Sequence, residues 1–228
     1  MQNQIEKQNA KPNFHKEFLK VLEEIKTTFS KKPSLLLHAC CAPCSSYCIE
    51  LMAQVFDITI YYYNPNIHPQ SEYERRLQEL KKFLTVFPPA LQEKVKLICA
   101  EYNTEDFFKA TNVKNEIELQ HEAEKGERCR RCYKLRMSKA WNYACQNGFD
   151  FFTTTLSISP HKDSLMINQI GLALPLSTKT KYLPADFKKN AGYLRSTQLS
   201  KEFGLWRQDY CGCVFSKQNR PAKEDSLQ

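Results

Sequence analysis

Ser34-Leu-Leu-Leu-His-Ala-Cys-Cys-Ala-Pro-Cys44 is a short apolar run that stops at a cysteine pair and restarts with proline. Apolar residues in that order read as strand, loop and helix, because Pro43 is tolerated in a helix's first turn and the pattern continues helically to about Gln54. Outward from it, Asp57 to Tyr63 (DITIYYY) is a β-branched and aromatic strand ending in the turn Asn64-Pro65-Asn66. Ser71 to Thr85 is an amphipathic helix with Ser71 as its expected cap. Lys94 to Ala100 supplies a third strand and Glu127 to Asn147 a long helix ended by Gly148. Asp150 to Leu156 makes a fourth strand, followed by a helix from Ser164 to about Gly171. Strands alternating with helices predict an α/β, Rossmann-like, mostly parallel sheet with helices on both faces and its ligand site beyond the strands' carboxyl ends. Three motifs lie there: Cys40-Cys41-Ala-Pro-Cys44, Asn64-Pro-Asn-Ile-His68-Pro, and Ser157-Ile-Ser-Pro-His161-Lys162-Asp163. Residues Asp186 to Gln218 are expected to lay a C-terminal helix and the Cys211-Gly212-Cys213 loop over that rim.

Seven of the ten cysteines fall in three clusters: Cys40, Cys41 and Cys44; Cys129 and Cys132; Cys211 and Cys213. Near-adjacent cysteines bridge one another only with strain, whereas separated clusters converge readily around a metal. Seven exceeds the four that one zinc or one cubane takes, which implies two centres, or one centre beside a reactive thiol. Thiolates at a helix mouth suit Cys40, Cys41 and Cys44, and Gly212 lets the backbone aim Cys211 and Cys213 the same way. Zinc and iron stay open on spacing alone. Cys48, Cys99 and Cys145 sit singly and read as core packing.

At 228 residues, with 42% hydrophobic and 12% aromatic content, the chain suits one globular domain. We set this domain at 32–216, between a polar N-terminal extension, 1–31, and a polar C-terminal tail, 217–228; the outermost residues are expected to be mobile. No apolar run approaches the ~20 residues of a membrane span, and Met1 to Lys32 has no signal-peptide stretch. The expected compartment is the cytoplasm, with no membrane partner and the cysteines reduced and disulfide-free. The net charge of +8 concentrates in Arg128–Lys139 and Lys179–Arg207, as expected for an anionic partner such as RNA or simply for a solvated surface.

His38, His68 and His161 are each a candidate ligand, proton donor or plain hydrogen-bonding loop residue. Lys162 suits a phosphate, Asp163 suits a helix cap, and Tyr63 suits the strand core or a stacked base.

Together LLLHACCAPCSS, YYYNPNIHPQSEYERR, GERCRRCYKLRM, TTTLSISPHKD and DFKKNAGYLRSTQLSKEFGLWRQDYCGCVFS resemble the epoxyqueuosine reductases of the QueH type, over about Lys32 to Ser216. The resemblance implies a HUP-like α/β fold and a two-electron deoxygenation of the epoxide of epoxyqueuosine in the tRNA anticodon loop, giving queuosine. It implies a [4Fe–4S] cluster and a neighbouring mononuclear iron, no cobalamin, and an electron donor that the sequence does not identify. On that basis Cys40, Cys41, Cys129, Cys132, Cys211 and Cys213, together with Cys44, are the expected metal ligands. Electrons would come from the cluster and Lewis acidity from the iron, while His161, His68 or a metal-bound water protonates the departing oxygen and Lys162 assists. Two rivals differ in class. An ATP-dependent tRNA thiolation enzyme of related fold would need a small, flexible phosphate-cradling loop where Cys40-Cys41-Ala-Pro stands. A zinc-stabilised RNA-binding module would need only four of the seven thiols.

Overall fold

The computed structural model describes residues 12–218. Five parallel strands form one sheet in the order β3-β2-β1-β4-β5: β1 Ser34–His38, β2 Asp57–Tyr62, β3 Lys96–Cys99, β4 Phe151–Thr154 and β5 Lys181–Tyr182. Ten helices surround it among the described residues: α1 Phe14–Thr28, α2 Ala42–Met52, α3 Gln70–Leu84, α4 Pro88–Gln92, α5 Thr104–Thr111, α6 Glu118–His121, α7 Glu127–Gln146, α8 Ser164–Leu172, α9 Gly192–Glu202 and α10 Val214–Gln218. The α/β architecture expected from the alternation is the one observed.

β1 is central, which explains its composition. Leu35, Leu36 and Leu37 have no exposed surface, as a strand covered on both faces requires, and each such burial contributes about 1.5–3 kcal/mol. Their alternation divides the core. Leu35 and Leu37 face a cluster containing Phe18, Ile49, Met52 and Leu80, while Leu36 faces Met137, Ala140, Trp141 and Ile167. Thus α1, α2 and α3 cover one face, and α7 and α8 the other. After β3 the chain returns to the opposite side of β1 to lay down β4, so the strand order reverses between β1 and β4. The crevice beyond the carboxyl ends of those two strands is where such sheets hold ligands.

Several boundaries differ from the sequence reading. α3 starts at Gln70, with Pro69 rather than Ser71 in the cap position; a proline has no N–H to leave unpaired there. β4 stops at Thr154 instead of Leu156, because the Thr154 hydroxyl accepts from Leu156 N–H (3.2 Å) and tightens Thr155–Ile158 into a 3₁₀ turn. β5 was not expected, since two residues carry no readable alternation. Residues 14–28, set within the polar extension by composition, form α1, whose buried Phe18 packs edge-on against Phe187 at 5.2 Å. The tails expected to be mobile lie, apart from their inner edges, outside the described residues. Among the single cysteines, Cys48 is buried and Cys145 half-buried, but Cys99 is exposed because β3 is the sheet's edge. No described helix is long and apolar enough to cross a membrane.

Candidate metal centre and substrate pocket

The turn from β1 into α2 sits at the β1–β4 crevice and carries the first thiol group. Cys41 occupies the cap position in extended conformation, without a side-chain hydrogen bond to the helix, so its thiol is available to the crevice. The sulfurs of Cys40, Cys41 and Cys44 lie within 4.8 Å of one another, and those of Cys40 and Cys41 are 3.7 Å apart. Thiolates about 2.3 Å from one tetrahedral ion stand roughly 3.8 Å apart, so this spacing suits a single metal ion. Hydrogen bonds from Cys41 and Cys44 hold the Cys40 thiol well below its ordinary pKa, with Lys162 assisting against burial; the Cys44 thiol is pushed up to about 12, first by its hydrogen bond to Cys40.

The second group comes from two other elements. Cys129 and Cys132 occupy the first turns of α7, whose start is fixed by Glu122: its carboxylate accepts from the N–H groups of Glu127 and Arg128, both at 2.7 Å. Cys211 and Cys213 arrive on the loop before α10. Gly212 has φ +101°, and a Cβ there would stand 2.8 Å from Ile67 Cγ1 and 3.0 Å from Arg76 Nη1; only glycine fits that turn. The Cys211 thiol is lowered to about 6, first by its hydrogen bond with Cys213 and also by Lys162, against burial. All four thiols line a chamber of about 20 Å³ with Asn66 and Glu124. An adjoining cavity of about 480 Å³ is lined by Cys40, Cys41, Cys44 and Cys211. Cys211, His161 and Lys162 line both.

The other sequence candidates separate. His161 is exposed at the junction of the chambers. Lys162 is buried, with no carboxylate partner among the described residues; the thiols Cys40, Cys44 and Cys211 outweigh its burial and raise its pKa. His68 lines neither chamber: Nδ1 donates to Asn66 O (2.9 Å), the ring faces Phe107 and Phe108, and Nε2 is buried without a partner among the described residues. His38 is structural. Its Nε2–H donates to Tyr63 O (3.1 Å) and its Nδ1 accepts from the Thr154 hydroxyl (2.8 Å), with burial and then Arg136 lowering its pKa to about 3. Asp163 caps α8, accepting from Met166 N–H at 3.1 Å.

The donor set fits a thiolate-held metal ion at Cys40, Cys41 and Cys44. Four more thiols line a contiguous chamber, and buried Lys162 and Arg136 have no carboxylate to balance them among the described residues. Buried cations are costly unless paired, and anionic thiolates, free or holding a metal, would supply such a partner.

The basic stretches prove mixed. Arg128 and Arg136 are buried; Arg130 and Arg131 clamp Glu127, with Arg131 also held by Glu116; Lys188 donates to Lys162 O at 3.2 Å. Sequence reasoning passed over three positioning residues. Arg76 is buried, ion-paired to Glu72 at 2.6 Å, and donates to the carbonyls of Cys211 (3.1 Å) and Tyr210 (3.4 Å), so it fastens the Cys-Gly-Cys loop to α3. Arg136 donates to Asn64 Oδ1, and Asn64 donates to Ala39 O at 2.9 Å, which braces the β1–α2 turn from α7. Only the four-residue spacing of Glu72 and Arg76 was a signal in the sequence.

Residues 35–219 match the family described as epoxyqueuosine reductase QueH. The chain is 40% identical to the epoxyqueuosine reductase QueH of Streptococcus pyogenes serotype M1 over 211 residues, which covers 91% of this chain and 81% of that protein. Against its namesake from Staphylococcus epidermidis it is 40% identical over 208 residues, 91% and 86% of the two chains. Against that of Thermotoga maritima it is 36% identical over 198 residues, 85% and 95%.

Proposed function

This chain belongs to the epoxyqueuosine reductase QueH family, and from that premise we propose that it deoxygenates the epoxide of epoxyqueuosine in a tRNA anticodon loop, in the cytoplasm. Two electrons and two protons are consumed, both epoxide C–O bonds break, a C=C bond forms, and the oxygen leaves as water. The observation that carries this reading is the convergence of seven thiols from three chain segments on one crevice, beside a cavity large enough for a nucleoside. A cubane held by Cys129, Cys132, Cys211 and Cys213, and an iron held by Cys40, Cys41 and Cys44, would supply electrons and Lewis acidity. The protein performs the rest. His161 donates a proton to the departing oxygen, because it is exposed at the junction of the two chambers, whereas His68 lines neither. Lys162 offsets thiolate charge and stabilises negative charge on that oxygen from a buried position. Arg76 and Asn64 hold the two thiol-bearing turns in register. The electron donor is a separate partner. Phosphates of the RNA meet exposed lysines around the rim, Lys125 and Lys189 among them.

The test is anaerobic reconstitution with iron and sulfide, followed by incubation with epoxyqueuosine-containing tRNA and a chemical reductant. More than four irons per chain and conversion to queuosine are expected. A colourless protein that retains stoichiometric zinc under these conditions, without turnover, would refute the proposal.

A further inference from the structure

The 480 Å³ cavity runs from the buried sulfurs of Cys40 and Cys41 to a wall that the chemistry above does not use, formed by Tyr193 on α9 and Arg207 on the following strap. Tyr193 is 38% exposed, and the guanidinium carbon of Arg207 lies 5.3 Å from its ring centroid. Arg207 is pinned through Nη1 alone, to Ser196 O (3.3 Å), Ser196 Oγ (3.4 Å) and Ser200 Oγ (3.1 Å). Its Nε and Nη2 have no hydrogen-bond partner, and the side chain no carboxylate, among the described residues. The entry to α9 is a tight left-handed turn. Asn190 and Ala191 are both left-handed (φ 49° and 59°), and a Cβ on Gly192 would stand 2.0 Å from Phe187 O. Non-glycine residues held this way persist only when their surroundings enforce them, commonly at ligand clamps.

A half-exposed aromatic ring beside an oriented, unpaired guanidinium is what an unstacked nucleotide requires, one group for its π-face and one for its phosphate. The reacting epoxide is at the tip of the base's side arm and belongs at the sulfur end, so the base lies toward the mouth. We infer that Tyr193 stacks on the modified base and that the free edge of Arg207 holds that nucleotide's phosphate. The inference rests on the reading of the substrate as a nucleotide within RNA.

The experiment measures binding of a fluorescently labelled anticodon stem-loop bearing epoxyqueuosine across a salt series, with melting temperature as the control for folding. Tyr193→Ala should weaken binding about 5- to 150-fold with an unchanged salt slope, stacking contributing about 1–3 kcal/mol per base, and Tyr193→Phe should bind as the parent does. Arg207→Gln should reduce the slope of log affinity against log salt by about 0.7, the value of one single-strand phosphate. Arg207→Lys should keep the slope. If the parent binds this RNA selectively but Tyr193→Ala binds equally well, or Arg207→Gln keeps the parent slope, the clamp is wrong and the substrate reading stands. If the parent prefers this RNA to no unrelated hairpin, the substrate reading fails and the clamp with it.

Discussion

At the amino ends of β1 and β4, Asp150 Oδ2 accepts from the Ser34 N–H (2.9 Å) and hydroxyl (2.6 Å), while Asp150 N–H donates back to Ser34 Oγ at 3.0 Å. At the carboxyl ends of the same strands the accounting is left open. Of eight buried side-chain polar atoms without a partner among the described residues, five lie around the rim: Asn66 Oδ1, His68 Nε2, Arg136 Nε, Thr155 Oγ1 and Gln208 Nε2. Each such atom costs about 1–3 kcal/mol, and buried Lys162 adds a cation whose only balancing charge among the described residues is that of the neighbouring thiols. One end of the sheet is therefore organised for stability and the other for something it must bind. The difference teaches where to look for function: at the end where burial and hydrogen bonding disagree.

The sharpest way to break the comparison is to exchange the expected effects of mutation at the two ends. Cys40→Ser, Cys41→Ser, Cys129→Ser or Cys213→Ser should each lower single-turnover conversion by more than roughly 10³-fold, about 4 kcal/mol in the barrier, while Cys145→Ser, half-buried in the last turn of α7, stays near the parent rate. Equal losses in all five would erase the distinction between ligands and packing. Away from the rim, Phe18→Ala should cost about 3–5 kcal/mol of stability by denaturant unfolding and leave iron content per folded chain unchanged. An unaltered midpoint would show α1 to be dispensable to the domain, in keeping with the boundary drawn at residue 32.

Arg76→Met probes the seam between the two regimes. It leaves Glu72 without its partner and unfastens the Tyr210–Cys211 carbonyls, so we expect about 3 kcal/mol of lost stability together with loss of iron, measured by metal analysis after gel filtration. Retention of full iron content would mean that the hydrogen bond from His68 N–H to Gly212 O (2.8 Å) suffices to hold the loop. The smallest effect belongs to Asp150. Burial opposes ionisation of its carboxyl, but hydrogen bonds from Ser34 and the nearby Lys179 hold its pKa below the ordinary value of 3.8. A depressed acid contributes stability that is present above its unfolded pKa and lost as pH falls through the folded one. Melting temperature should therefore drop below about pH 4, and Asp150→Asn should flatten that drop while lowering the neutral-pH value by about 2–4 °C. An acid limb as steep in the variant as in the parent would place the titrating group elsewhere.

Much of this was legible in the chain itself. The run Leu35–Leu37, apolar at consecutive positions and followed by Cys40-Cys41-Ala-Pro43, reads as a buried strand, and its end at the cysteines points to the crevice. The three cysteine clusters and the glycine between Cys211 and Cys213 announced a thiolate site, because spacing that resists disulfides favours a metal. What sequence could not decide was everything set by distance across the fold. Arg128 and Arg136 looked like a nucleic-acid surface but are inside, since helix α7 turns them toward the site and charge alone carries no direction. Arg76 looked like one more basic residue of an amphipathic helix until the loop 135 residues later came to rest on it. The spacing that sets Cys40, Cys41 and Cys44 apart from the other four thiols, and the placement of His161 but not His68 on the lining of both chambers, depend on angles at which helices meet strands. Local preference determines which residues make a strand, a turn or a helix mouth; only packing across the β1–β4 reversal decides which of their side chains share a chamber.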